Sequence, residues 1–168
     1  PLFMWLVIPF LKLFSDPLLA GRLVSVTAGL ATLIGIFLLA YTLFKSLPAQ
    51  AGKKVALIAA LIYAVSPFSF FFDRMALVDS LLSTFGVWTL FLALVAFRNL
   101  RLDFAMLSGF ALGGGLLTKS PAIFYALMLP TTWLLARFPH GKTAKVVHLI
   151  KLLGLFLVTL GIGWGLFN

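Results

Sequence analysis

The sequence has no cysteine and no glutamate, and only 10% of its 168 residues are charged. The absence of cysteine excludes disulfide bonds, zinc–thiolate sites and thiol nucleophiles. The four acidic residues are all aspartates, whereas lysine and arginine together number thirteen, so the formal net charge is +9. Apolar side chains dominate the rest: 62% of the residues are hydrophobic and the mean hydropathy is +1.16. This composition is typical of an integral membrane protein and lies far from that of a soluble domain.

The positive charge does not indicate a nucleic-acid partner. Proteins that bind nucleic acids gather their lysines and arginines into a patch, often with aromatic residues between them. Here the cations are spread along the chain and form no such block. We therefore expect the chain to contact membrane lipids and not to bind nucleic acid.

The two ends of the sequence both look cut. It begins at Pro1 without an initiator methionine or a basic leader, and it ends at Asn168 within an apolar run. We therefore expect an internal fragment of a longer protein.

Apolar runs separated by short polar loops predict an all-α fold, a polytopic transmembrane bundle of about six spans. Within the segment 1–17 the apolar run covers only 2–14 and contains Lys12, which is short for a span of roughly twenty residues, so we expect a re-entrant or interfacial helix. Ser15 or Asp16 can cap the helix that follows. Residues 1–168 are thus expected to be a fragment of one transmembrane domain, with an interfacial segment 1–17 followed by spans and short loops in 18–168. The predicted spans are 18–44, 55–72, 75–97, 104–118, 122–138 and 146–167.

The distribution of cations among the loops predicts the orientation. Four cations fall on one side, namely Lys12, Arg22, Arg74 and Lys119. Nine fall on the other: Lys45, Lys53, Lys54, Arg98, Arg101, Arg137, Lys142, Lys145 and Lys151. The side richer in cations is cytoplasmic by the positive-inside rule. We therefore expect a multi-pass membrane protein with Asp16, Asp73 and Asp79 facing the periplasm, the cell exterior or an organelle lumen.

The stretch 70–80 carries two of the four acids between two long apolar runs. An ionisable group within a span costs roughly 2.5 to 3.5 kcal/mol at mid-depth, so it marks a candidate functional site. Asp73 can also be explained as the cap of the helix that follows it. Asp79 is expected about a turn and a half inside that helix, where it needs a polar cavity or a cation. The structural alternative for Asp79 is an ion pair with Arg74 or Arg22.

Two further cations are candidate ligands of an anion. Lys119 follows three glycines and precedes Ser120-Pro121 at a predicted helix break, where an ammonium and exposed backbone N–H groups converge. The glycines equally permit close helix packing, so both explanations of this segment stay open. Arg22 can hold a phosphate, or it can snorkel from the end of its helix.

The histidines do not indicate metal binding. His140 and His148 fall on the basic side and have no carboxylate or thiol at ligand spacing. No Ser-His-Asp set can form either, because the acids of the 70–80 stretch are expected on the other side of the membrane.

Four short motifs, in order, carry a resemblance to a known family. The chain resembles the dolichyl-phosphate-mannose protein mannosyltransferase-like membrane glycosyltransferases of the GT-C fold, which include the aminoarabinose transferases of lipid A. The likeness extends from Pro1 to about Phe124. Its motifs are Pro-Leu-Phe-Met-Trp-Leu at 1–6, Gly-Arg-Leu-Val-Ser at 21–25, Arg-Met-Ala-Leu-Val-Asp at 74–79 and Leu-Thr-Lys-Ser at 117–120.

This resemblance implies a partial GT-C fold and a specific chemistry. A sugar would pass from a polyprenyl-phosphate carrier to a lipid, glycan or protein acceptor on the trans side, with inversion at the anomeric carbon. It implies catalytic carboxylates at Asp79 and Asp73, and phosphate-binding cations at Arg74, Lys119 and Arg22. Some members use a divalent metal, but the sequence offers no ligand set and no cofactor is expected. The family's first trans-side loop and its main acid would precede Pro1, so the chain alone is expected to be inactive.

Two other classes of protein fit parts of the pattern. A transporter or flippase for lipid-linked sugars or other anions also places charges along a pathway, with a matched pair of interrupted helices. Only one clear interruption, within 113–121, is expected from the sequence. A purely structural subunit has little reason to retain Asp79 inside a span. The resemblance favours the transferase.

Overall fold

The computed structural model describes residues 1–14, 16–135 and 142–168. These residues form helices and the short connections between them, and none of them forms a strand. The all-α prediction is confirmed. The α-helices are α1 Leu2–Leu13, α2 Pro17–Leu43, α3 Ala49–Val65, α4 Pro67–Phe72, α5 Val78–Asn99, α6 Leu102–Thr118, α7 Ile123–Met128, α8 Thr131–Leu134 and α9 Lys142–Phe167, and a 3₁₀ helix at Ser120–Ala122 precedes α7. Ser15, Arg137, His140 and Gly141, which the sequence placed in a cap and a basic loop, lie outside the described residues.

Three of these helices are long and apolar enough to cross a membrane, namely α2, α5 and the part of α9 from Lys145 to Phe167. Helix α6 is apolar but has only 17 residues, and α3 is equally short. The chain is therefore a helical integral membrane protein, and a total of six spans stays a prediction.

The predicted single span over 122–138 is wrong for its described part. A 3₁₀ turn, α7 and α8 replace it, with a turn at Leu129–Pro130 between the two short helices. Pro130 has no N–H to donate and its ring crowds the preceding turn, which favours the break between α7 and α8. The other predicted break, at Ser66–Pro67, is confirmed because α3 ends at Val65 and Pro67 opens α4.

Helices α2 and α5 run parallel and are joined by polar side chains within the bundle. Thr84 donates to the carbonyl of Ala28 at 2.8 Å, and its hydroxyl lies 2.9 Å from that of Thr32. Farther along, Trp88 Nε1 donates to the carbonyl of Ala31 at 3.0 Å. Such bonds let two membrane helices associate without a hydrophobic driving force between them.

The glycine-rich helix α6 packs between α5 and α9. Its carbonyl at Ala105 accepts from Thr159 at 3.1 Å, and Ser108 donates to the carbonyl of Thr89 at 2.9 Å. A Cβ at Gly113 would lie 2.8 Å from Leu166 Cβ, and one at Gly114 would lie 2.5 Å from the Phe85 ring. The packing explanation of the three glycines is therefore confirmed. The core of this half of the bundle consists of Ala93, Ala96, Phe97, Ala105, Leu112, Leu129, Leu152 and Leu155.

Helix α1 packs against α2 and α5 through Phe3, which is buried beside Val24 and Leu81. Asp16 caps α2 by accepting from the N–H of Leu18 at 2.9 Å, as predicted, and Pro17 occupies the first turn. An interfacial position of α1 in the membrane stays a prediction.

Charged side chains occupy both ends of the bundle. The start of α2, the segment 73–77, the start of α5 and the end of α6 come together at one end, which we call the site end. At the opposite end Arg98 donates to the carbonyls of Thr42 and Leu135, and Arg101 binds Asp103. Leu100 ends α5 in the left-handed conformation, with φ of 52°, and so makes the predicted tight loop into α6.

We expect Gly109→Ala to lower stability and Gly161→Ala to leave it unchanged. A Cβ at position 109 would lie 2.8 Å from the carbonyl oxygen of Thr159, so α6 and α9 must move apart. Overpacking of this kind costs about 1–3 kcal/mol. Position 161 on α9 has nothing within 4 Å, and alanine is the better helix former. Thermal unfolding of the two variants in detergent checks this, and equal midpoints would show that the α6–α9 contact is looser than described.

Candidate active site

The segment 73–77 lies across the start of α2 at a row of small residues. Gly21, Ser25 and Gly29 follow one another at four-residue spacing and so share one helix face. Ser25 Oγ donates to the carbonyl of Leu77 at 3.1 Å and lies 3.3 Å from the Leu77 N–H. A Cβ at Gly21 would meet Ala76 Cβ at 2.8 Å. The segment approaches α2 this closely because the small residues leave room for its backbone.

Asp73 is placed by this contact and not by a helix cap. The sequence suggested Asp73 as a cap of the next helix, but that helix begins at Val78 with Leu77 at its N-cap position. Leu77 is in extended conformation and bonds to Ser25 through both its N–H and its carbonyl, and α5 begins at the next residue. Asp73 instead ends α4, and its Oδ2 accepts a hydrogen bond from the hydroxyl of Tyr63 at 2.9 Å.

The Asp73 carboxylate lies directly against α2. A Cβ added at Gly29 would lie 2.5 Å from both Asp73 Cγ and Oδ2, so no other residue type fits at position 29 unless the acid moves. The carboxylate opens into a cleft of about 270 Å³, which we call the Asp73 cleft. Its polar lining includes Tyr63 and Arg74, and its remaining walls are mostly apolar residues of α2 and α3.

Arg74 belongs to two adjoining clefts. Its guanidinium lies 3.9 Å from the centre of the Phe70 ring, a cation–π contact that fixes the group on an aromatic face. Besides the Asp73 cleft it lines a second cleft of about 280 Å³ together with Arg22, Phe70, Phe71 and Met75. We call this second one the arginine cleft. Two guanidinium groups on one cleft are suited to an oxyanion such as a phosphate.

Asp79 lies in the first turn of α5, and the prediction of a position deeper in the helix is wrong. The helix starts later than the sequence suggested, so its positive end is beside the carboxylate and stabilises it. Its ion-pair partner is Lys119, with Nζ 2.7 Å from Oδ1, and neither Arg74 nor Arg22. The side chains of Lys119 and Asp79 are 48% and 37% exposed. A pair this exposed adds about 0–1 kcal/mol to stability.

The five predicted site residues therefore form two groups at the site end. Asp73, Arg74 and Arg22 line the two adjoining clefts, whereas Asp79 and Lys119 form an ion pair that joins the start of α5 to the end of α6. Arg22 is exposed on the first turns of α2. This arrangement can bind an anion at the arginines and offer a carboxylate beside it.

Comparison with known families decides what kind of protein carries this site. A family model described as dolichyl-phosphate-mannose-protein mannosyltransferase matches residues 1–164. The chain belongs to this mannosyltransferase family. The resemblance carried by the four motifs is thereby confirmed, and membership implies membrane glycosyltransferase activity. Searches of curated proteins and of solved structures give no match.

Sequence reasoning did not identify two residues of the site in this mannosyltransferase-family chain. Tyr63 and Gly29 both touch Asp73. The four-residue spacing of Gly21, Ser25 and Gly29 is a signal that could have indicated a close backbone approach to α2. Tyr63 carries no comparable signal, because its hydroxyl reaches Asp73 only after the chain turns at Ser66–Pro67.

Across 1–14, 16–135 and 142–168, no three His, Cys, Asp or Glu side chains gather closely enough to hold an ion. Asp73 and Asp79 bind Tyr63 and Lys119 instead.

Proposed function

We propose that this chain forms part of an inverting glycosyltransferase that moves a sugar from a polyprenyl-phosphate carrier to an acceptor at the site end. The observation that carries the proposal is the shared position of Arg74, which lines both the arginine cleft and the Asp73 cleft. A donor phosphate bound between Arg22 and Arg74 would thus lie beside a carboxylate. Family membership supports the glycosyl transfer itself.

The reaction is a single displacement. The acceptor hydroxyl attacks the anomeric carbon, the bond from that carbon to the phosphate oxygen breaks, and polyprenyl phosphate leaves with the bonding electrons. The hydroxyl proton passes to a carboxylate, for which Asp73 and Asp79 are the candidates in this chain. Arg74, Arg22 and Lys119 stabilise the charge that develops on the phosphate. The sugar and the acceptor, whether lipid, glycan or protein, are open.

The proposed orientation follows from the cations. Seven described cations lie towards the opposite end: Lys45, Lys53, Lys54, Arg98, Arg101, Lys145 and Lys151. The positive-inside rule therefore supports a cytoplasmic opposite end and a site end that faces the periplasm or exterior of a bacterial inner membrane.

A transporter for lipid-linked sugars is the second candidate. The sequence indicated one clear interruption, within 113–121. Among the described residues, breaks at Ser66 and at Lys119 lie towards the site end, and a further break lies at Leu129–Pro130. Paired interrupted helices are typical of transporters. Family membership favours the transferase, and assays of donor translocation and of sugar transfer on the same vesicles separate the two.

The test uses the intact protein in lipid vesicles, with polyprenyl phosphates carrying radiolabelled mannose, glucose, galactose or aminoarabinose in turn. We expect label from at least one donor to reach the lipid, glycan or protein fraction of added membranes, with inverted anomeric configuration. Arg74→Gln should raise the KM for that donor about tenfold, because a charge-assisted contact to the phosphate is lost.

Arg101→Gln is the matched control, since Arg101 lies at the opposite end beside Asp103. It should leave the donor KM unchanged. Movement of every donor across the vesicle with no transfer would favour the transporter, and equal KM values for the two arginine variants would remove Arg74 from the phosphate site.

A further inference from the structure

The hydroxyl of Tyr63 is the one side-chain group that binds the Asp73 carboxylate within the described residues. This 2.9 Å bond engages Oδ2, and no described side chain donates a hydrogen bond to Oδ1. Tyr63, Asp73 and Arg74 line the same cleft. The tyrosine therefore determines which carboxylate oxygen is available there.

The backbone between the two residues is fixed by short-range bonds. Ser69 is buried, and its Oγ donates to the carbonyl of Tyr63. The N–H of Asp73 in turn donates to the carbonyl of Ser69 at 2.8 Å, and the N–H of Phe70 to that of Ser66 at 3.0 Å. The break at Ser66–Pro67 and the short helix α4 thus connect the tyrosine to the acid as one unit.

The other side of the carboxylate is closed by α2. The carboxylate occupies the space that a side chain at position 29 would fill, since a Cβ added at Gly29 would lie 2.5 Å from Asp73 Cγ. The contact with α2 at Gly29 and the bond from Tyr63 to Oδ2 together favour the observed orientation of the carboxylate. Fixing a reacting group in this way removes reorganisation from the chemical step.

We propose that Tyr63 is a positioning residue for sugar transfer, which holds the Asp73 carboxylate in the orientation that accepts the acceptor's proton. The inference rests on the proposed function, because it acts through Asp73. It assigns no contact between Tyr63 and the phosphate, which the arginines bind.

The experiment measures transfer and phosphate binding separately in the intact protein. Tyr63→Phe removes the hydroxyl and keeps the ring, so kcat should fall about tenfold, the effect of one hydrogen bond to a charged group. The Kd for radiolabelled polyprenyl phosphate, the leaving group alone, should stay within about twofold of the unaltered protein. Tyr41→Phe is the matched control, because Tyr41 lies towards the other end of α2 and stacks on Phe37.

A second comparison uses the Asp73→Asn background. If Tyr63 acts through Asp73, then Tyr63→Phe adds no further loss of transfer there, because coupled residues are not additive. If transfer by Asp73→Asn is too slow to measure, the thermal midpoints of the unaltered protein, the two single variants and the double variant are compared instead. The changes in midpoint add up if the two side chains are independent and do not add up if they interact.

The remaining outcomes distinguish failure of the positioning role of Tyr63 from failure of the proposed function. Equal kcat values for Tyr63→Phe and Tyr41→Phe, with Asp73→Asn impaired, overturn the positioning role and leave the proposed function standing. Loss of polyprenyl phosphate binding in Tyr63→Phe also overturns it, since the residue then supports the fold or the arginines. Unimpaired transfer by Asp73→Asn removes Asp73 from the proposed reaction, and the role of Tyr63 with it.

Discussion

Replacing Gly29 with alanine should lower sugar transfer by about 100-fold, the loss expected when a reacting group is misplaced by an ångström. The added Cβ would lie 2.5 Å from Asp73 Cγ and Oδ2, and real Cβ contacts are not that short. The carboxylate must therefore turn away and leave the hydroxyl of Tyr63. The measurement is the initial rate of transfer by the intact protein in vesicles.

The control is Gly165→Ala, on a helical face of α9 where nothing lies within 4 Å. It introduces the same methyl group and should keep the full rate. Thermal unfolding accompanies both assays, because the added Cβ would also lie 3.0 Å from Asp73 Cβ and such overpacking can cost about 1–3 kcal/mol; rates are therefore compared well below both midpoints. A full transfer rate in Gly29→Ala would contradict either the placement of Asp73 or its role.

Removing the charge of Asp79 should have the other large effect. Asp79→Asn is expected to lower transfer by about 100-fold, because Lys119, which we propose meets the leaving phosphate, loses the partner that positions it. Its ion pair with Lys119 is more than a third exposed, so the change should barely affect stability. Rates and thermal midpoints measured on the same preparation separate the two effects.

A charge exchange separates function from structure at this pair. The double variant Asp79→Lys, Lys119→Asp can form the same ion pair with the positions of the two charges exchanged. A purely structural pair would recover activity in the exchanged protein, whereas a pair that meets the substrate would not. The same exchange at Arg101 and Asp103 at the opposite end is the control and should leave transfer unchanged.

Local signals in the sequence predicted local features well. Asp16 caps α2 and Pro17 opens it, as expected, because a cap depends on a few consecutive residues. The helix ends near Ser66 and Lys119 were likewise predictable, since each break precedes a proline. The membrane character and the family follow from composition and from the ordered motifs.

Contacts between distant residues were not predictable in the same way. The start of α5 depends on Ser25, which lies 52 residues before Leu77 and holds it in extended conformation. That one contact moves Asp79 from the predicted helix interior to the first turn. Its partner Lys119 is 40 positions away, so helical spacing could not reveal it. The gathering of candidate residues at one end was predictable from the loops, but their division into two groups was not.

The opposite end of the bundle is closed by a different kind of contact. Arg98 donates to the carbonyl of Thr42, near the end of α2, and to that of Leu135, at the end of α8. A guanidinium stays protonated at any pH that a cell maintains, and these two acceptors are neutral carbonyls. One side chain of α5 therefore ties the end of α2 to the end of α8 through two bonds that persist across the pH range of a cell.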